Sequence, residues 1–221
     1  MAAFHLRLEN LPAEFAVFPL PGALLLPRGK LPLNIFEPRY LAMTEDALGA
    51  GRMFAMIQPD ATRPDGPAGP ALYRVGCLGR LISFSETEDG RFLITLAGLA
   101  RFAVTTELEM RRGYRRVRAD FSAFAADLAP DPPACMDRET IETALRAYFI
   151  RAAIDANWDA IKRVPDNMLV VTLSMLCPFA PVEKQALLEA ATEAERAETL
   201  LALLRMGATD PDDPTARRTV S

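Results

Sequence analysis

Residues 31–40 of the chain read LPLNIFEPRY, and this stretch predicts a strand that passes directly into a helix. Apolar side chains alternate with others as far as Ile35, which is the two-residue period of a strand with one buried face. Because Pro32 cannot donate a hydrogen bond to a neighbouring strand, we predict that it lies at a sheet edge or at a strand start. Pro38 then opens a short helix, since proline is tolerated in the first helical turn.

Short strand-like runs continue on both sides of this stretch. They cover residues 16–20, 24–27, 31–36, 53–58, 74–84, 91–97, 100–107 and 114–121. The Asp89-Gly90 pair is typical of a tight turn and joins two of these runs into a hairpin. Gly98 predicts a bulge that breaks the ladder between the next two runs. Several short strands with one small helix predict a closed or half-closed barrel.

The second part of the chain has a helical period. Apolar residues from Ile141 to Ala152 recur at helical spacing, and Thr192 with Glu195 forms a capping box before a leucine-rich helix. The run APDPP at residues 129–133 has the composition of a linker. We therefore predict an α+β chain with a β-barrel over 1–129, an α-helical bundle over 130–207 and a flexible tail over 208–221.

Composition and charge exclude several classes of protein. The 221 residues are 50% hydrophobic and 24% charged, which excludes a disordered polymer or a coiled coil. The net charge of −4 gives no overall attraction for phosphate polymers. No segment reaches the roughly 18 apolar residues that a membrane span needs. We therefore expect a cytoplasmic protein with no membrane contact.

Histidine and cysteine are too scarce for most catalytic or metal sites. His5 is the single histidine, so a Ser-His-Asp triad or a histidine metal cluster has almost no residues to use. Cys77, Cys135 and Cys177 contain no CxxC pair, which excludes the usual zinc site and a disulfide scaffold. We expect no catalytic residue, no metal and no cofactor.

The run RRGYRRVR at residues 111–118 is the one basic patch that contains an aromatic residue. One interpretation is an RNA-binding segment in which arginines contact phosphate and a tyrosine stacks on a base. The favoured interpretation is a solvated strand face neutralised by Glu107, Glu109 and Asp120. The RNA hypothesis involves Arg111, Arg112, Tyr114, Arg115 and Arg116.

Four motifs in order resemble the N-terminal substrate-binding domain of the Lon protease family. They are VFPLP at 17–21 with LPLNIFEPRY at 31–40, VGCLGRL at 75–81 with DGRF at 89–92, GLARF at 98–102, and EKQALLE at 183–189. Asn34 stands where many members have histidine, and Arg28-Gly29 replaces a simpler Pro-Gly. The resemblance covers about residues 14 to 206.

The resemblance implies a PUA-like barrel followed by a helical bundle, without the ATPase and peptidase modules of full Lon. It implies a non-catalytic protein that binds unfolded or flexible polypeptide segments, with a separate protease or chaperone as a further partner; nucleic acid is not favoured. The binding surface would be a groove between barrel and bundle, or an exposed edge strand to which a peptide adds. The candidate contact residues are Leu33, Ile35, Phe36, Glu37, Arg39 and Tyr40. A place in the core is the favoured alternative for the four apolar ones, and a cap with a salt bridge for the charged pair.

Overall fold

Strands make up most of the first half of the described chain, and helices make up the second half. A computed structural model describes residues 7–129 and 136–209. The strands are β1 (Glu14–Pro19), β2 (Lys30–Ile35), β3 (Met53–Ile57), β4 (Val75–Glu86), β5 (Phe92–Arg111) and β6 (Tyr114–Asp120). The helices are α1 (Pro38–Gly49), α2 (Arg138–Arg151), α3 (Trp158–Lys162), α4 (Asp166–Leu176), α5 (Pro181–Glu189) and α6 (Glu193–Ala208), with short 3-10 segments at Leu8–Asn10 and Ser122–Leu128. This order confirms the predicted α+β class.

The six strands form one sheet in the order β2-β5-β4-β3-β1-β6, and β5 also pairs with β6. The 20-residue β5 makes this possible, because its first half pairs with β2 and β4 while its second half pairs with β6. All pairings are antiparallel except the parallel one between β1 and β3. The strands β5, β4, β3, β1 and β6 therefore form a closed ring of pairings. The strand β2 pairs with β5 alone and lies at a sheet edge.

The edge position predicted for β2 is confirmed, and its register shows which backbone groups are free. Just before β2, the Gly98 N–H donates to the Gly29 carbonyl at 2.8 Å. Hydrogen-bonded and non-hydrogen-bonded residue pairs alternate along an antiparallel ladder. Because Gly29 is hydrogen-bonded to Gly98, the odd-numbered residues of β2 form the hydrogen bonds to β5. Lys30, Pro32 and Asn34 therefore direct their backbone groups away from the sheet. The missing N–H of Pro32 falls on this free edge and costs the sheet no hydrogen bond.

The strand predicted at residues 24–27 is wrong: these residues form an irregular segment. Leu24, Leu25 and Leu26 are all buried in succession, whereas a strand would send alternate side chains to opposite faces. The segment passes very close to β5. A Cβ built on Gly98 would lie 2.8 Å from the Leu26 carbonyl carbon and closer still to its oxygen, so glycine is required where the two backbones meet.

The bulge predicted at Gly98 is confirmed, but the break in the strand is not. Gly79 pairs with Gly98 and Leu78 pairs with Ala100, which leaves Leu99 as the extra residue. The strand continues through the bulge as the single strand β5. A bulge bends and twists a strand without ending it, so β5 stays paired with β4 as far as Ala103, where its pairing with β6 begins.

Two clusters of buried side chains form the core. The smaller lies among the strands and includes Phe15, Val17, Ile57, Leu78, Phe102 and Val117. The larger continues from the strands into the helices and includes Phe18, Leu26, Ile35, Leu96, Leu145, Leu169, Leu188 and Leu200. The larger cluster is therefore a hydrophobic core that the sheet and the helices share.

The domain boundaries at 129/130 and 207/208 stay predictions. The proposed linker from Pro130 onward, the tail from Asp210, His5 and Cys135 lie outside the described residues.

Candidate functional site

Buried polar side chains join the sheet to the helices. Arg101, on β5, pairs with Asp127 at 2.8 Å, and both side chains are less than a tenth exposed. The Arg101 guanidinium also donates to the carbonyls of Leu188, at 3.1 Å, and Ala190. These carbonyls end α5, where the helix dipole favours a cation. The arginine of the GLARF motif therefore fixes α5 against the sheet.

The EKQ motif of α5 makes contacts of the same kind. Glu183 accepts from the Ala180 N–H at 2.7 Å, which satisfies a free donor at the helix start. Lys184 donates to the Gly22 carbonyl at 2.8 Å. Gln185 donates to the Val75 carbonyl at 3.2 Å. The motif therefore holds the helix to the turn after β1 and to the start of β4.

Arg196 completes this set of contacts from α6. Its side chain is 1% exposed, donates to the Leu187 carbonyl at 2.9 Å and pairs with Glu193 at 3.1 Å. Glu193 also pairs with Arg28, in the segment before β2. We call Arg101, Lys184, Gln185 and Arg196 the polar interface. All four are buried and form hydrogen bonds within the fold, although one guanidinium nitrogen of Arg196 has no partner, so they join sheet to helices and are not exposed for a ligand.

The six residues predicted to contact a peptide lie partly in the core. Ile35 and Tyr40 are buried, and the Tyr40 ring centroid is 4.1 Å from that of Phe18. Leu33 is half-buried and packs against the same core. Phe36 is 61% exposed, so the expectation of a core position is wrong for this residue. It follows the last residue of β2, and the Arg91 guanidinium lies 5.9 Å from the centre of its ring.

Glu37 and Arg39 form the predicted salt bridge, at 2.8 Å. Glu37 is the residue that precedes α1, but its side chain makes no capping hydrogen bond, so the predicted cap is wrong. The Arg39 guanidinium instead lies 4.6 Å from the centre of the Tyr40 ring. This pair is a local surface contact beside the start of the helix.

The arginines of the predicted RNA segment are neutralised by carboxylates. Arg111 and Arg112 pair with Asp46 on α1, at 3.3 and 2.9 Å, and Arg116 pairs with Glu14 on β1 at 3.5 Å. The Tyr114 hydroxyl donates to Asp46 at 2.6 Å. That hydrogen bond lowers the pKa of Asp46, while burial and the same bond raise the pKa of Tyr114 to about 12.

Arg115 is the one buried arginine in this segment. It pairs with Glu107 at 2.5 Å and donates to the Pro70 carbonyl at 2.6 Å. Of the three acids predicted to neutralise the segment, Glu107 forms an ion pair with it, whereas Glu109 and Asp120 form none within the described residues. The other ion pairs come from three acids elsewhere in the chain, which are Glu14, Glu45 and Asp46. RNA binding stays a prediction, and these pairs reduce the positive charge available for it.

Where α4 approaches the start of β2, sheet and helices leave an open apolar groove. Its volume is about 260 Å³. We call it the methionine groove, and its lining residues are Arg28, Gly29, Lys30, Met168, Thr172, Met175 and Leu176. Leu176 is 74% exposed, although it is a large apolar residue. Sequence reasoning missed this groove; the available signal was two methionines seven residues apart, which places them on one face of a helix.

The methionine groove adjoins the free edge of β2. Lys30 lines the groove and also presents its backbone to that edge. Its ammonium group has no ion pair among residues 7–129 and 136–209, whereas Arg28 is paired with Glu193. An apolar groove, a row of unpaired backbone groups and one uncompensated positive charge therefore lie side by side.

Residues 7–129 and 136–209 show neither a metal-type cluster nor a membrane-length apolar helix. That part of the chain contains no group of three or more histidine, cysteine or acidic side chains placed to hold a metal ion. None of its helices combines the length and the apolar character that crossing a membrane requires.

Comparison with known proteins gives a consistent result. Residues 14–206 match the family described as the ATP-dependent protease La (LON) substrate-binding domain. Lon protease 2 of Myxococcus xanthus is 25% identical over 112 residues, which are 51% of this chain and 13% of that protein. The Lon protease of Azospirillum brasilense is 23% identical over 205 residues, which are 87% of this chain and 24% of that protein. The chain thus spans a quarter or less of the length of these curated relatives.

Solved structures show the same fold. A Lon N-terminal domain protein from Xanthomonas campestris superposes with a TM-score of 0.57 and 23% identity, over 86% of this chain and 97% of that one. The N-terminal domain of a Mycobacterium avium complex Lon protease gives a TM-score of 0.55 and 14% identity, over 90% and 99%.

Proposed function

We propose that this chain, which belongs to the ATP-dependent protease La (LON) substrate-binding domain family, binds unfolded or flexible polypeptide segments without catalysing a reaction itself. The observation that carries the proposal is the free edge of β2 beside the methionine groove. The family match supports a polypeptide as the ligand, and this surface offers both components of extended-peptide recognition.

The first component is backbone hydrogen bonding. An extended segment that lies along β2 can accept from the N–H groups of Lys30 and Asn34 and donate to the carbonyls of Lys30, Pro32 and Asn34. Backbone bonds do not depend on the side chains of the ligand, so this mode suits segments of varied sequence. A flexible segment can take this shape, whereas a folded protein rarely offers a free strand.

The second component is the apolar groove. Methionine side chains are unbranched and adaptable, so Met168 and Met175 can accommodate apolar side chains of different shapes. Leu176 adds exposed apolar surface that a bound segment would cover. Because unfolded chains expose apolar residues that folded proteins bury, such a groove favours the unfolded form.

The finer architecture follows from the same comparison. We infer that the ring of pairings from β5 back to β5 is a PUA-like barrel and that α2 to α6 form the helical bundle. The pairing of β5 with both β4 and β6 supports the first inference, and the shared core of these helices supports the second. Cooperation with a separate protease or chaperone, and the cytoplasmic location, stay predictions.

A binding measurement with a matched pair of variants tests the proposal. The probe is a fluorescently labelled, reduced and carboxymethylated lactalbumin, which stays unfolded in buffer. Leu176→Gln removes apolar surface from the groove, and we expect it to weaken binding about tenfold. Val182→Gln is the control, because Val182 is also exposed, at 63%, but does not line the groove.

Equal loss of affinity in the two variants, or no loss in either, would contradict a role for the groove. Absence of saturable binding by the unvaried chain would contradict the proposed function as a whole.

A further inference from the structure

A second cleft shares no lining residue with the methionine groove and plays no part in the proposed function. Its volume is about 450 Å³, and it is bounded by the loop between β3 and β4 and by the second half of β5. The side chains that matter here are Arg63, Tyr73, Arg74, Thr106, Glu107 and Arg115.

Backbone hydrogen bonds hold the loop that forms one wall of the cleft. The Asp60 N–H donates to the Ala71 carbonyl at 2.7 Å, and the Tyr73 N–H donates to the Gln58 carbonyl at 3.0 Å. Pro59 and Leu72 form a further bridge between the two arms of the loop. The loop is therefore anchored at its base, and the cleft has two fixed walls.

Charges in the cleft do not balance. Arg115 and Glu107 neutralise each other at 2.5 Å. Arg63 and Arg74 are exposed and have no ion pair among the described residues. Of the loop's two acids, Asp60 accepts from the Thr62 N–H and hydroxyl, and Asp65 does not line the cleft.

Most other arginines on or beside the strands are paired, and the exposed Arg80 of β4 is an exception among the described residues. The arginines at 101, 111, 112, 115, 116 and 118 all pair with carboxylates of the chain. In a chain of net charge −4, two guanidinium groups without a carboxylate partner line the same cleft. Guanidinium groups bind oxyanions through paired N–H donors, so phosphate and carboxylate are the groups that two such side chains recognise.

The uncharged residues that line the cleft determine which kind of ligand would fit beside the two arginines. Pro64, Pro67 and Val104 provide apolar surface, and the half-buried Tyr73 provides an aromatic one. We propose that this cleft binds a small organic anion, with its phosphate or carboxylate group at Arg63 and Arg74 and its planar or apolar body against Tyr73. Thr106 adds a hydroxyl from the wall that β5 forms.

Fragment titrations with the full chain test this site. The probes are phenyl phosphate, benzoate and, as the neutral control, phenol, each followed by nuclear magnetic resonance. We expect saturable binding of at least one anion, with shifts confined to the loop and the second half of β5, and at least tenfold weaker binding of phenol. Phosphate and carboxylate heads are distinguished by which of the two anions binds more tightly.

Charge-neutralising variants provide the decisive comparison. Arg63→Gln and Arg74→Gln should each weaken binding of the preferred anion about tenfold, because each removes a charge-assisted contact. Arg80→Gln is the matched control, since Arg80 is equally exposed and unpaired in the described chain but lies outside the cleft. Leu176→Gln should leave anion binding unchanged, which separates this site from the polypeptide-binding surface.

The inference is overturned if neither anion binds saturably, or if phenol binds as tightly as the anions. It is also overturned if Arg63→Gln and Arg74→Gln behave like Arg80→Gln.

Discussion

Sheet and helices meet in two regions of opposite character, the polar interface and the methionine groove. In the polar interface Arg101, Lys184 and Arg196 are buried, and carbonyls or carboxylates of the chain accept their hydrogen bonds. In the methionine groove Leu176 is exposed and Lys30 has no partner in the described chain. The charged side chains of the polar interface form hydrogen bonds within the fold. The methionine groove instead presents an exposed apolar side chain and an unpaired ammonium group to solvent.

This difference separates the residues that identify the family from the residues that we propose to bind polypeptide. The motifs GLARF and EKQALLE contain Arg101, Lys184 and Gln185, which are three of the four residues of the polar interface, and these three side chains are buried. The groove-lining residues lie outside the four motifs, although Arg28-Gly29 stands where the family has a simpler Pro-Gly. The motifs are therefore a poor guide to the proposed binding surface, because a rigid fold constrains its buried residues most strongly.

The largest effect is expected from breaking the polar interface at Arg101. Arg101→Ala leaves Asp127 buried without its partner, and such a change costs about 3–5 kcal/mol of unfolding free energy. Urea unfolding followed by circular dichroism measures the loss. Arg112→Ala is the control: Arg112 and Glu45 are exposed, and the half-buried Asp46 keeps its contacts with Arg111 and Tyr114, so the unfolding midpoint should hardly change. A similar, small effect of both variants would show that the buried pair does not hold the helices to the sheet.

A smaller effect is expected where the segment before β2 crosses β5. In Gly98→Ala the new methyl group would overlap the Leu26 carbonyl, and the backbone must move, at a cost of about 2–3 kcal/mol. Gly49→Ala is the matched control, because nothing lies within 4 Å of a Cβ at that helical position. If Gly98→Ala unfolds at the same urea concentration as Gly49→Ala, the close crossing of the two backbones is incorrect.

The smallest effect on stability is expected in the groove. Leu176 is exposed, so Leu176→Gln should change the unfolding free energy by less than about 0.5 kcal/mol while it weakens polypeptide binding. Calorimetry and the fluorescence titration on one preparation check both quantities. A variant that loses stability and affinity together would mean that groove and interface are not separate regions.

Sequence reasoning succeeded where local chemistry decides the structure. Pro32 predicted an edge strand, Asp89-Gly90 a hairpin and Gly98 a bulge, and each is confirmed. These features depend on a missing donor or on a backbone angle that only certain residues adopt, so they can be read from a few neighbouring positions.

It failed where distant segments decide. The run 24–27 was predicted as a strand because apolar runs suggest burial, but it is buried between sheet and helices without pairing. The methionine groove joins residues 28–30 to residues 168–176, and no local pattern relates them. The acids that neutralise Arg116 and Arg112 likewise come from β1 and α1 rather than from adjacent positions.

Hydrogen exchange at the free edge of β2 tests the central claim most directly. The N–H groups of Lys30 and Asn34 point away from β5, whereas those of Leu31 and Leu33 bond it and serve as internal controls. With the chain saturated by unfolded lactalbumin, we predict that exchange at Lys30 and Asn34 slows at least tenfold and that the two controls do not change. Saturated binding that leaves the Lys30 and Asn34 amides unprotected would contradict strand addition at this edge.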